Sequence, residues 1–589
     1  MKSITFFRKA CLVIAAVAMG LSASAATYYV SSSGNDDNDG SEASPFKTLQ
    51  YVCEDVAESG DVIVIVGSVT VSGSEYGAQP IFAGLTIVGK GAKAELVGSG
   101  APIMTLWDLE NIGSETYDFY FVNLTFRNGT AVEGVGGGAI RIDAPVNIRF
   151  SDCRFNGNKT DCMGQGSDGG AIFVGGGANV EIYNCEFNNN RAFRGGAIGT
   201  GSDGSLTIEN SLFLGNYTTI SANPPSEEQE ARGGAISGYC PDVMINNCYF
   251  SGNYTYLNSG GDKGAGGGAM VFGGDGASRT IINSAIVDNR GNEHGGAVFA
   301  MGNGANYTFI NTTIAKNECK DSGGIIFCAY SGGQLNFINC TLTGNSTRQN
   351  PDNCAGIRLM NTHDRVRIHN TILEGNRTNE NEGTMNRNSD ISWMGTEYGY
   401  PVEVFNSYVG NVSKYDGFSQ SSISFVASSS FDYFGIDDDF YTLSQSGIGF
   451  TGSDTNRSYY YSLKESSPAI SGGNFTLLYD GFGRNDDQFG APRKSPACSI
   501  GAVEGITENE FGTVTNPPSD ITIENDCDNG LLSGNLCEIV YPVGIFEVAA
   551  DGSVAVGYYT VLGVKLDKEP ESGLFIVKYS NGSAVKVLK

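Results

Sequence analysis

Arginine and phenylalanine recur at one register of this 589-residue chain. Arg141, Phe173, Phe299, Phe327 and Arg358 each directly follow the apolar residue of a Gly-Gly-Ala-Ile-like tetrad. Rings on one face stack on sugars, and guanidinium groups clamp carboxylates. The column therefore reads either as a glycan-binding strip or, if the rings lie beneath an inserted loop, as protection for a sheet. Its other members, Gly199, Ser237 and Val271, add no carboxylate. Polysaccharide elimination needs a basic group near cation-bound acids, and hydrolysis needs two carboxyl groups about 5 to 9.5 Å apart. The column thus disfavours both reactions, and no catalytic residue is assigned. The residues just before the tetrads include Asp168, Arg194, Arg232 and His294. An acid beside two arginines fits an anionic sugar, and it also fits an exposed ion pair of small energetic weight. Asp36, Asp37 and Asp39, in the run GNDDNDG, suit either calcium, the one candidate cofactor, or an Asx-rich capping turn. An EF-hand loop is excluded, because its twelfth position counted from Asn35 is Phe46. His294, His363 and His369 show no metal-ligand spacing with one another.

The elements that position these groups come from a repeat. Eight tetrads start at Gly137, Gly169, Gly195, Gly233, Gly267, Gly295, Gly323 and, degenerately, Ala355. Each is followed after 17 to 19 residues by an F/I/L-x-x-N tetrad, starting at Phe155, Phe187, Phe213, Phe250, Ile286, Ile314, Leu342 and Leu373. The return distance to the next Gly-Gly tetrad varies from 8 to 20 residues, so one half of each repeat is rigid and the other carries insertions. Two asparagine columns run through the rigid half. One is Asp152, Asn184, Asn210, Asn247, Asn283, Asn311, Asn339 and Asn370; the other is Asn158, Asn190, Asn216, Asn253, Asn289, Asn317, Asn345 and Asn376. Period-two apolar alternation with Gly and Asn punctuation predicts short strands and tight turns. Stacking such repeats ~4.8 Å apart makes a parallel β-helix in which equivalent side chains form ladders. Ile140, Ile172 and Ile198 are expected to face inward, which turns Arg141 and Phe173 outward. Cys153, Cys185, Cys248 and Cys340 share a register with Ser211, Ser284, Thr312 and Thr371, and their parallel direction favours a small-residue column over disulfides.

Lys2, Arg8 and Lys9 before the apolar run Ala10–Leu21 and the exit Ala23-Ser24-Ala25 read as a secretory signal over residues 1–25. No later stretch has about 18 consecutive apolar residues, so no transmembrane helix is expected. With 64 acidic against 36 basic residues the net charge is −28, which repels phosphate backbones and excludes nucleic acid as an expected partner. Ser44-Pro45 before Phe46, Leu49, Val52 and Val56 predicts a short proline-started helix capping the first coil. Residues 26–505 are assigned to the β-helix and 506–543 to a linker with Cys527 and Cys537. Residues 544–589 form a small β-domain with strands at Tyr558–Leu562, Gly563–Lys565, Leu574–Tyr579 and Ala584–Leu588.

The GGAI…FxxN pattern over about residues 137–376 resembles the polymorphic outer-membrane protein repeat of exported right-handed β-helices. Tyr28-Tyr29-Val30, Gly34–Gly40 and Pro45–Gln50 resemble the start of pectate-lyase-like β-helix proteins. Ser467–Asn474, with Asp480, Gly483, Arg484 and Ser499–Glu504, is similar to the closing segment of surface β-helix proteins. The tail GYYTVLGVKL…SGLFIVKYSNGSAVKVLK resembles the sorting domain of type IX secretion cargo. These resemblances imply an all-β, right-handed parallel β-helix of pectin-lyase-like type with an amino-terminal helical cap and a small carboxy-terminal β-sandwich-like domain. They also imply secretion to the cell surface or outer membrane, with the secretion machinery and a polysaccharide or host-cell ligand as partners. The expected function is a non-catalytic adhesin or glycan-binding passenger; a polysaccharide lyase or other carbohydrate-active enzyme, and a structural spacer, are the alternatives.

Overall fold

A computed structural model describes residues 26–72, 74–110, 112, 118–131, 136–160, 167–219, 231–255, 266–348, 354–360, 364–381, 384–388, 390–393, 402–409, 441–442, 459–460, 469–477, 483–488, 492–504, 555–560, 565–566, 574–579 and 584–588. The signal segment, the linker with Cys527 and Cys537, and His363 lie outside the described residues. So do the variable insertions at 161–166, 220–230, 256–265 and 349–353.

Each repeat forms one coil of a right-handed parallel β-helix. The tetrad ends in a three-residue strand such as Ile140–Ile142, and a turn leads to a five-residue strand such as Asn147–Ser151. A single left-handed residue then bends the chain into a second three-residue strand, Arg154–Asn156 in this coil. The residues of the first asparagine column make that bend, with φ from 54° at Asp152 to 48° at Asn370, and Asn406 extends the series at 46°. Asparagine tolerates this conformation better than other side chains of its size. A two-residue strand, Lys159–Thr160, completes the coil. Equivalent strands pair in register from coil to coil. They build a 23-stranded sheet that contains both walls flanking the asparagine bend, and two 10-stranded sheets, one of them ending in an antiparallel pair, Arg377–Asn381 with Thr384–Asn388. The register places Cys354 opposite Gly323, so the degenerate tetrad starts one residue earlier than Ala355.

Apolar residues at the expected positions fill the interior. Ile140, Ile172, Ile198 and Ile236 are fully buried, as are Phe155, Phe187, Phe213 and Phe250. The last four stack with ring centroids 4.7, 4.6 and 4.5 Å apart. The second asparagine column is buried too. Each side chain binds the next: Asn158 Nδ2 donates to Asn190 Oδ1 at 3.0 Å, and the backbone N–H of Asn158 donates to that same oxygen at 3.0 Å. The pattern repeats to Asn345 and Asn376, whose Nδ2 ends on the Asp390 carboxylate at 2.8 Å. Such a ladder satisfies polar atoms that could not otherwise be buried. The ten described cysteines are all buried and none joins another in a disulfide, in keeping with a small-residue column through Cys153, Cys185, Cys248 and Cys340.

The amino-terminal cap is a helix, but Pro45 does not start it. Thr48 caps Leu49–Tyr51, and the turn continues as a π-helix through Val52–Val56. The reason is Asp36, whose Oδ1 accepts from the backbone N–H groups of Lys47 and Thr48 at 2.8 and 2.9 Å and whose Oδ2 accepts from Thr48 Oγ1 at 2.8 Å. Phe46, Leu49, Val52 and Cys53 close the core beneath it.

The closing segment runs along the first asparagine column. Asn370 Nδ2 donates to the Asn474 carbonyl at 2.8 Å, and Asn474 N–H returns a bond to Asn370 Oδ1 at 2.8 Å. Arg493 is buried above the same column: it donates to Asn311 Oδ1 at 2.9 Å and to the carbonyls of Gly501 and Ala502, and it pairs with Glu504 at 3.5 Å. In the tail, Ala555–Thr560, Lys565–Leu566, Leu574–Tyr579 and Ala584–Leu588 form one four-stranded antiparallel sheet.

Candidate functional site

Three columns of side chains share the outer face of the tetrad sheet. The central one is Arg141, Phe173, Gly199, Ser237, Val271, Phe299, Phe327 and Arg358, aligned strand by strand. A turn column of Asp168, Arg194, Arg232, Gly266, His294 and Ser322 runs beside it through successive backbone bridges. The third column lies two residues beyond the central one and contains Asp143, Tyr239, Met301 and Met360. The insertions all end just before the turn column, so this face is where variable chain enters the fold.

The structure brings the expected residues onto one face, yet it corrects their exposure. Phe299 and Phe327 are only 6% and 5% exposed, and Arg358 is 1% exposed, so they do not form an open strip. The cause is packing across coils. The Phe299 ring lies where a side chain on Gly266 would stand, its Cδ1 only 2.7 Å from that Cβ position, and the Arg232 guanidinium sits 5.8 Å above the ring centre. The imidazole of His294 stacks on Phe327 at 4.2 Å and 10°. Met301 and Met360 pack against the same cluster. Arg358 donates to Ser392 Oγ at 2.7 Å.

The amino-terminal half of the face is built from smaller groups: Gly199 and Ser237 are buried, and Arg141, Phe173, Arg194 and Arg232 beside them are half-buried. Phe173 is half-buried, with the Arg141 guanidinium 5.4 Å from its ring centre, and Arg141 is held by Asp143. Asp168 lies across Gly199, its Cβ 2.7 Å from the position a side chain there would take. Three coil-adjacent polar atoms in this half are buried and have no hydrogen-bond partner among the described residues: Asp168 Oδ1, Arg194 Nε and Ser237 Oγ. Buried polar atoms in such a state call for a ligand or ordered water. Burial pushes the Asp168 carboxyl up to about 6, against the pull of Arg194. Burial lowers the His294 imidazole, while Asp321 at 3.3 Å raises it. Tyr239, which reaches Arg232 Nη1 at 3.4 Å, was missed by sequence reasoning; reading the residue six beyond each tetrad start finds it.

Asp36 is occupied by the capping bonds already described, and Asp39 Oδ1 accepts from Ser41 N–H at 3.0 Å, so these acids close a turn. Among the described residues no group of three or more His, Cys, Asp or Glu side chains is arranged to hold a metal. His369, on the long-strand sheet, is lowered to about 4 by burial and by Arg367, and packs edge-on against Phe405. No described helix is long and apolar enough to cross a membrane.

No family model and no curated protein sequence matches the chain. Among solved structures, the complex of XylC with xylose is similar over 81% of this chain and 98% of its own, at 9% identity and a TM-score of 0.35. Pectate lyase Pel9A covers 82% of this chain and 98% of its own, at 15% identity and a TM-score of 0.32. A GH136 lacto-N-biosidase from Eubacterium ramulus covers 65% of this chain and 68% of its own, at 14% identity and a TM-score of 0.28. At these values function has to be read from the residues themselves.

Proposed function

We propose that this is an exported surface protein that binds glycans without cleaving them, through the amino-terminal half of its tetrad face. The observation that carries the reading is the set of polar atoms of Asp168, Arg194 and Ser237 that have no hydrogen-bond partner among the described residues, gathered on three successive coils beside the half-buried Phe173 ring. Sugar recognition uses this mixture of convergent hydrogen-bonding groups and an apolar plate. Two of the face's other carboxylates are engaged, Asp143 by Arg141 and Asp321 by His294, and among the described residues of the face neither is left free to act as one of a catalytic carboxyl pair. The repeat pattern and the tail support delivery to the cell surface through a sorting signal.

The test is a glycan array probed with the full chain and with an Arg194→Ala/Arg232→Ala variant, alongside absorbance near 235 nm during incubation with polyuronates. Retention of defined glycans by the wild type, their loss in the variant and a flat absorbance trace are expected. Steady accumulation of unsaturated product, or retention that is the same in both proteins, would overturn the reading.

A further inference from the structure

A second surface lies on the narrow wall of two-residue strands, where the residue after each buried ladder asparagine points outward. In register these are Lys159, Arg191, Tyr217, Tyr254, Arg290, Glu318, Ser346 and Arg377. Four of the eight are cations and one is an acid, on a chain whose net charge is −28. Among the described residues Lys159, Arg191 and Arg377 have no ion-pair partner, and Arg290 reaches only Glu318, at 3.6 Å, which Arg348 also holds at 2.8 Å. Arg290 and Arg377 are exposed, and Lys159 and Arg191 are half-buried.

Lys159 and Arg191 sit directly opposite each other on adjacent strands, where like charges ~4.8 Å apart destabilise the pairing. A chain with 64 acidic residues retains that repulsion with no acid between them. Arg191 Nε is buried without a hydrogen-bond partner. Seven coil steps of ~4.8 Å make the row about 34 Å long, parallel to the helix axis. Its shape suits an extended polymer, and its spacing suits a sparse charge. A double-stranded nucleic acid carries one charge per about 1.7 Å and would meet far more of the protein's negative field than the row neutralises. Tyr217 and Tyr254 stack on each other at 5.0 Å and 4°, so their facing surfaces are taken and the row offers no open ring pair for bases.

We propose that this row is a binding track for a linear anionic polysaccharide, distinct from the tetrad face and lying along the helix axis. The guanidinium and ammonium groups hold carboxylate or sulfate, and the tyrosine hydroxyls are placed to bond sugar oxygens.

The experiment is titration of the full chain with heparin, with polygalacturonate and with poly(dT) at two salt concentrations. It is repeated for Lys159→Glu/Arg191→Glu/Arg377→Glu, for the milder Lys159→Gln/Arg191→Gln/Arg377→Gln and for Arg194→Ala/Arg232→Ala. At least one of the two polysaccharides is expected to bind, more weakly at high salt, and the one that binds tells sulfate from carboxylate. The charge reversal should weaken it at least tenfold, the glutamine variant should follow in the same direction, and the tetrad-face variant should bind as the wild type does. The proposal fails if neither polysaccharide binds, if a folded glutamine variant binds normally, if poly(dT) binds as tightly, or if the tetrad-face variant loses as much. The tetrad-face reading is judged separately, by the array.

Discussion

The two halves of the tetrad face share a backbone and a register but not a surface. From Val271 to Arg358 the ring of Phe299 lies across Gly266 beneath Arg232, Phe327 lies beneath His294, and Met301 and Met360 pack against the same cluster, so the wall is closed. From Arg141 to Ser237 the central residues shrink to Gly199 and Ser237, and polar atoms beside them are left without partners. In a solenoid the coil geometry is fixed by ladders, so side-chain volume alone decides which coils are sealed and which can receive a ligand. The sealed half belongs to the stability of the fold, and the open half is the candidate for binding.

Substitution is the sharpest way to break that contrast. Phe327→Ala should destabilise the helix domain by about 3 to 5 kcal/mol, as for a core ring, whereas Phe173→Ala should cost about 1 kcal/mol, because its ring is only half-buried. Urea unfolding followed by circular dichroism measures both, and equal costs would erase the distinction.

The closing segment extends the same contrast to the first asparagine column. Asn311→Ala should cost on the order of 1 to 3 kcal/mol, since it removes one partner of the buried Arg493 guanidinium, while Asn210→Ala, at a half-buried corner, should cost roughly half as much or less. Comparable unfolding midpoints for the two would mean that the contact of Arg493 with the asparagine column adds nothing to stability.

Asp168 makes the open half pH-sensitive. Its carboxyl is raised to about 6 in the fold from an ordinary value of 3.8, so the native state holds a proton that the unfolded chain has lost between those values. Stability from this group is therefore complete below about pH 4 and declines as pH rises to about 6. Asp168→Asn should flatten that part of the melting-temperature profile. Binding of anionic sugars should strengthen below about pH 6, where the neutral acid no longer offsets Arg194. A variant whose pH profile overlays the wild type's would contradict this.

The smallest effect is expected from the insertions. Adding residues between Tyr217 and Arg232 should shift the melting temperature little, because a longer surface loop adds only a slowly growing closure entropy. A shift as large as that of Asn311→Ala would mean that the assigned register is wrong.

Much of the fold was legible because β-helix periodicity repeats locally: the inward isoleucines, both asparagine columns and the disulfide-free column of Cys153, Cys185, Cys248 and Cys340 follow from spacing alone. The exposure of Phe299 and Phe327 was not legible, since it depends on Gly266, Arg232 and His294 in other coils and on how rings lie across glycines. Arg493 meeting Asn311, 182 residues away, has no local signature. Thr48 replaced Pro45 as the helix start because Asp36, eleven and twelve residues upstream of its two backbone donors, claims those N–H groups. The cationic row has a local signature, one residue after each buried asparagine, but which of its members lack a partner acid depends on neighbouring coils.

The most direct test of the central claim is hydrogen–deuterium exchange of the full chain with and without a glycan retained on the array. Slowed exchange confined to the coils of Asp168, Gly199, Arg232 and Tyr239, with Val271–Arg358 unchanged, is the predicted result. Protection centred on Phe299 and Phe327, or none on this face, would contradict it.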